Sequence, residues 1–125
     1  MSTWGAGTFQ NDAALDFINA EIDRHVGAIE TIFGDAARFH LDEDAEGELM
    51  PRIEILLALC DRCHGVLDKR MDVAAWKARY LARYDEQIDD LEPTNDYKQQ
   101  RRAVIADTFD RLIERHAAQW RRTPE

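Results

Sequence analysis

The run CDRCH at 60–64 places two thiols and an imidazole within five residues. Its C-x-x-C-H spacing is that of covalent haem attachment, and thiolate with imidazole is also a zinc donor set. On a helix, Cys60, Cys63 and His64 would share one face, so a thiolate–imidazole site is sterically feasible, with His25, His40 or His116 as the fourth ligand. Two features weigh against metal chemistry. Haem attachment occurs outside the cytoplasm, and the first residues do not show a basic stretch followed by an apolar run, so no export signal is read. The second paired-ligand cluster of a zinc domain is also missing. The run falls within an amphipathic helical pattern closed by Gly65, so ordinary helix packing is the expectation and no metal or cofactor is assigned.

DEDAEG at 42–47 resembles the start of a calcium loop, with carboxylates at alternate positions and Gly47 sixth. The twelfth position, which should be a bidentate Glu, is Ile53, and an apolar helical face begins inside the would-be loop. The expected role is therefore an acidic surface, formed by Asp42, Glu43, Asp44, Glu46 and Glu48. A second acidic group, Asp85, Glu86, Asp89, Asp90 and Glu92, follows further on. Neither a Gly-rich phosphate loop nor a nucleophile elbow is present, and four histidines in four separate segments make no triad, so the chain is not read as an enzyme.

Four helical patterns must position these groups. The first runs from about Ala13 to Phe33, with Leu15, Ile18, Ile22, Val26, Ile29 and Phe33 on one stripe, Asp12 as N-cap and Gly34 as a left-handed C-cap. Gly27 inside it suggests a close helix contact. A short turn of helix is expected at 35–39, then an acidic loop at 41–48. The second helix spans about Leu49 to Cys63 or His64, with Pro51 in its first turn; Ile53, Leu56, Leu57 and Cys60 form its core face, widened by Ile55 and Leu59. The third is capped by Asp72, presents Trp76, Tyr80, Tyr84, Ile88 and Leu91, and ends at Pro93. The fourth is capped by Thr94, Asn95 or Asp96 and presents Tyr97, Val104, Ile105, Phe109, Leu112, Ile113, His116 and Trp120. No strand pattern competes, and the short connections favour antiparallel neighbours. The expectation is an all-α single-domain bundle of about four principal helices over 1–125.

The opening WGAGTFQND reads as an N-terminal clasp over 1–12. Gly5 and Gly7 would fold the segment back, Trp4 and Phe9 would reach the helix faces, and Asn11, Asp12 and Asp16 would serve the positive end of the first helix. The functional alternative is a binding surface built from Trp4 and Asp16. The same stretch resembles the N-terminal signature of the bacterial family called domain of unknown function 4259, W-G-x-G-x-F-x-N-D-x-A-x-D. Trp4, Gly5, Gly7, Phe9, Asn11, Asp12, Ala14 and Asp16 match it. A second likeness is the apolar run IEILLALC followed by Ala75-Trp76. The resemblance implies no catalytic residues. It implies a small cytoplasmic protein of the kind encoded beside polymorphic bacterial toxins, and hence an immunity role.

Charge points the same way. The chain has 125 residues, 16 Lys and Arg against 25 Asp and Glu, and a net charge of -9. Such a surface repels nucleic acid and anionic lipid and attracts basic partners. No apolar run approaches the roughly 20 residues of a membrane span, and Cys60 and Cys63, the only cysteines, are expected to be reduced thiols in the cytoplasm. The leading expectation is a non-catalytic cytoplasmic module that occludes a basic toxin domain, with the two acidic groups as contact surfaces. The alternative is a regulatory protein that binds a small ligand or metal.

Overall fold

In the computed structural model, which describes residues 3–121, four α-helices carry most of the chain. They are α1 (Asp12–Phe33), α2 (Met50–Cys63), α3 (Val73–Gln87) and α4 (Asn95–Gln119). A π-helical turn, Ala45–Leu49, leads into α2, and a 3-10 turn, Ile88–Leu91, extends α3. Among the described residues the only strand-like pairing is one bridge between Thr3 and Asn11, so the fold is an all-α bundle. None of their helices is long and apolar enough to cross a membrane.

The helix starts follow side-chain chemistry. Asp72 accepts from the Ala75 N–H at 3.0 Å, and Thr94 accepts from the Tyr97 N–H at 3.2 Å. For α1 the cap is Asn11 rather than Asp12: its Oδ1 accepts from the Ala14 N–H at 2.8 Å, and Asp12 becomes the first helical residue, near the positive dipole end. The helix expected at 35–39 is a set of turns in which the Asp35 carboxylate accepts from the Ala37 and Arg38 N–H groups. The expected loop at 41–48 is shorter, because its second half is the π turn.

The helix ends depart from the glycine rule. Gly34 is right-handed, with φ −82. The left-handed residues are His64 (φ 58) and Glu92 (φ 51). Gly65 has a different use: a Cβ there would collide with Ile22 Cδ1 and lie 3.1 Å from the Leu59 carbonyl oxygen. The missing side chain lets the chain press against α1, and the left-handed residue is the one before it, His64. Gly27 faces open space and makes no close helix contact.

α2 sits between α1 and α4, and α4 also packs along α3. Ion pairs report the directions. Asp85–Arg102 and Lys77–Asp110 show α3 and α4 to be antiparallel, whereas Glu54–Arg111 and Asp61–Arg115 show α2 and α4 to be parallel. The core contains Ile53, Leu56, Leu57 and Cys60 from α2, with Ile18, Ile22 and Ile29 from α1 and Ile105, Phe109 and Leu112 from α4. Full burial of each aliphatic side chain contributes about 1.5–3 kcal/mol. Ile55 is 40% exposed and lies outside the core, contrary to expectation. A chain of aromatic contacts, Phe33–Phe39–Tyr80–Phe109, crosses the interior with ring centroids 4.9, 5.9 and 5.6 Å apart.

The opening segment clasps less than its composition suggests. Trp4 N–H donates to the Gln10 carbonyl at 3.1 Å, and Gly7 N–H donates to Gln10 Oε1 at 2.8 Å, closing a small loop. Phe9 packs against the core, but Trp4 remains 56% exposed. Gly5 and Gly7 do not have positive φ; a Cβ at either would run into the Gln10 side chain folded across them. Met1 and Ser2 of the expected 1–12 clasp lie outside the described residues.

Candidate functional site: an apolar pocket between two acidic segments

The Cys–His run does not assemble. Cys60 lies on the buried face of α2, and Cys63 is half-buried. His64 has left the helix in its left-handed conformation, so the three do not share a helical face. Burial pushes the Cys60 thiol up, against the thiolate form a metal requires. The three other histidines are engaged elsewhere. His25 Nδ1 lies 2.8 Å from Arg52 Nη1, His40 Nδ1 accepts from the Asp42 N–H at 3.0 Å, and His116 Nε2 lies 2.9 Å from the Asp68 carbonyl oxygen. Among the described residues no three His, Cys, Asp or Glu side chains group as metal ligands do.

The first acidic segment divides in two. Asp44 accepts from Arg38 Nε at 2.7 Å, and Glu48 pairs with Arg52 at 3.1 Å. Glu46 accepts from the Tyr80 hydroxyl at 2.7 Å through one oxygen and from Arg101 Nε at 2.8 Å through the other. Burial, with the Glu46 carboxylate beside it, holds the Tyr80 phenol far above its ordinary value. This ionic knot ties the π turn to α3 and α4. Asp42 and Glu43 are exposed and make no ion pair among the described residues.

The second segment divides in the same way. Asp85 is held below the usual carboxylate range by a bidentate bond from Arg102, 2.8 and 2.9 Å. Asp89 pairs with Lys98 at 2.7 Å, and Glu86 lies 4.0 Å from Arg83. Asp90 and Glu92 are exposed and unpaired among the described residues.

The two segments that carry these unpaired carboxylates come together in the fold. The Gln87 side chain accepts from the Leu41 N–H at 2.9 Å, across 46 positions of sequence. This contact brings the 41–43 turn against the 3-10 turn, and a pocket of about 240 Å³ opens between them and the first turns of α4. Leu41, Tyr84, Ile88, Leu91, Pro93 and Tyr97 form its apolar walls, and the Glu46–Arg101 pair forms its polar part. The Tyr84 hydroxyl is turned away to the Lys98 carbonyl oxygen at 2.8 Å. Leu91 and Tyr97 are 44% and 52% exposed at the mouth. Asp42 and Glu43 directly follow one wall residue, and Asp90 and Glu92 flank another.

Of the wall residues, Leu91 and Tyr97 can be read in the sequence only as ends of helical stripes; nothing local marks them as a pocket. The other candidate surface, Trp4 with Asp16, is exposed at both residues. Asp12, Asp16, Asp23 and Glu30 recur at spacings of four and seven along one exposed line of α1.

Comparison of the chain with protein-family models, with curated proteins and with solved structures finds no match.

Proposed function

We propose that the chain is a non-catalytic protein-binding module, and that it acts as an immunity protein, covering the active site of a basic bacterial toxin in the cytoplasm. The carrying observation is that two distant segments, each with exposed unpaired carboxylates next in sequence to a wall residue, meet at one solvent-open apolar pocket. The nearby cations are engaged internally, Lys98 by Asp89, Arg101 by Glu46 and Arg102 by Asp85. Asp42, Glu43, Asp90 and Glu92 are therefore available to a partner. The net charge of -9 supports the reading, because an acidic surface steers a basic partner and accelerates encounter. The resemblance of the opening stretch to the domain of unknown function 4259 signature supplies the toxin context. A standard occluding interface buries roughly 1,600 Å² in total, which extends well beyond the pocket.

The test is to identify a toxin-type gene next to the one that encodes this chain and to co-express the two; an isolated gene with no such neighbour counts against the reading. Cells should survive when both are made, and the two proteins should co-purify at a stoichiometric ratio. Death at the same rate with and without this chain, and no co-purification, overturns the reading.

A further inference from the structure

We propose that the pocket is an anchor site that takes one aromatic or branched apolar side chain from a basic segment of the partner. This inference rests on the protein-binding reading and names the chemistry of what docks. The pocket and its rim ask for different things. Among the described residues the ionic groups in the lining are Glu46 and Arg101, which satisfy each other at 2.6 Å and leave no charge there to neutralise. Walls of Leu41, Ile88, Leu91, Pro93 and Tyr97 favour an apolar insert, and about 240 Å³ accommodates one aromatic ring. The rim has the opposite demand. Asp42 and Glu43 follow wall residue Leu41 in sequence, Asp90 and Glu92 flank wall residue Leu91, and all four are exposed and without an ion pair among the described residues. A segment with an apolar residue flanked by Lys or Arg meets both demands at once. An acidic segment is repelled at the rim, and a purely basic one leaves the pocket empty.

The geometry also separates this site from that of a free small molecule. Two large apolar side chains, Leu91 and Tyr97, stand at the mouth where they would be covered by a surface rather than by a buried ligand. Burial of one aromatic anchor in a desolvated pocket dominates interface energetics, and truncating it costs roughly ten-fold or more in affinity.

The probes are three synthetic peptides titrated into the full chain and followed by amide chemical shifts at low salt: KKGFGKK, KKGGGKK and EEGFGEE. The expected result is that KKGFGKK shifts the amides of Leu41, Leu91 and Tyr97 and binds roughly ten-fold more tightly than either control. Tyr97→Ala and Leu91→Ser, both at exposed positions and checked for folding by circular dichroism, should abolish that preference. Asp90→Asn with Glu92→Gln should weaken binding and flatten its salt dependence. Equal binding of KKGGGKK overturns the anchor. So does absence of binding, or shifts confined to the α1 line of Asp12, Asp16, Asp23 and Glu30. Free p-cresol shifting the same amides as strongly as KKGFGKK would instead make this a small-molecule site and overturn the docking proposal. If the pocket variants still protect cells from the toxin as well as the wild type, the anchor fails while the protein-binding reading stands.

Discussion

Tyr97 and Trp120 stand near opposite ends of α4, about 35 Å apart at 1.5 Å per residue, and both are largely exposed, at 52% and 41%. Of the two side chains, only that of Trp120 makes a hydrogen bond among the described residues. Its indole N–H donates to the Leu67 carbonyl at 2.8 Å, and the Lys69 ammonium lies 6.0 Å from its ring centre. Neighbouring Gln119 accepts from the Leu67 N–H at 2.8 Å and donates to the Gly65 carbonyl at 3.0 Å. Asn19 of α1 accepts from the Val66 N–H at 3.1 Å. The 64–72 connection thus hangs from side chains of two helices, and the tryptophan is one of its hooks. At the other end the Tyr97 hydroxyl makes no hydrogen bond among the described residues, and its ring borders an open pocket. Exposure of a large side chain is therefore not the mark of an interface. Exposure without an internal partner, next to carboxylates that also lack one, is a sharper mark.

The largest expected break in this comparison is at the floor of the pocket end. Glu46→Leu removes the acceptor of both the Tyr80 hydroxyl and the Arg101 guanidinium, and Tyr80 is fully buried. Leaving one buried donor and one partly buried cation without their partner should cost about 2–3 kcal/mol. The check is the urea midpoint at unchanged slope, with amide exchange. Amides of the π turn and the 3-10 turn should lose protection, while those at 64–68 fall no further than the global loss requires. Uniform loss at both ends would show that the bundle has no separable ends.

The contrast between the ends was only partly legible in the sequence. Periodicity and capping chemistry are local, and they located the four helices, the Asp72 cap and the stop at Pro93. Whether an aromatic in a loop packs inward is not local: the sequence offers both Trp4 and Phe9 as clasps, and the fold packs Phe9 against the core while Trp4 stays exposed. The same holds for charge. DEDAEGE reads as a solvated loop, yet Glu46 finds Arg101 at 55 positions' distance, and Asp44 and Glu48 find Arg38. Both acidic segments were visible as candidate surfaces. That three of the five in each are consumed by the fold is set by partners such as Arg101 and Arg102, and that the remainders adjoin wall residues of one pocket depends on the Leu41–Gln87 contact.

Acid offers a perturbation centred on neither end. His25 on α1 is buried, and its Nδ1 must accept from the Arg52 guanidinium, because an arginine only donates. Burial foremost, then the charges of Arg52 and Arg24, hold His25 below its ordinary value, with Glu21 opposing weakly. A depressed folded-state value means that the unfolded chain binds the proton first. The stability is thus fully present above the unfolded value of about 6.5 and is lost as the pH falls through the folded value. His25→Gln keeps an acceptor for Arg52 and does not titrate there. Between pH 7.5 and 5 the wild type should lose more stability than this variant in urea unfolding, and by less than Glu46→Leu costs. Parallel losses in the two proteins would remove His25 as the acid-sensitive group.

The finest test sets the two aromatics against each other directly. Trp120→Phe keeps a ring over the 64–72 connection but deletes the N–H that bonds the Leu67 carbonyl at 2.8 Å. Solvent reaches this end of α4 and can replace part of that bond, so the net loss should be about 1 kcal/mol, the usual worth of one such hydrogen bond. For a chain of this size the melting temperature should fall by roughly 3–5 °C. Tyr97→Phe deletes a hydroxyl that has no internal partner, and its melting temperature should stay within about 1 °C of the wild type. Amide exchange adds location: protection of Leu67 should drop in the first variant, and that of Leu91 should hold in the second. A melting temperature lowered equally by both changes would mean that Tyr97 also serves the fold, and its exposure at the pocket would then say nothing about a partner.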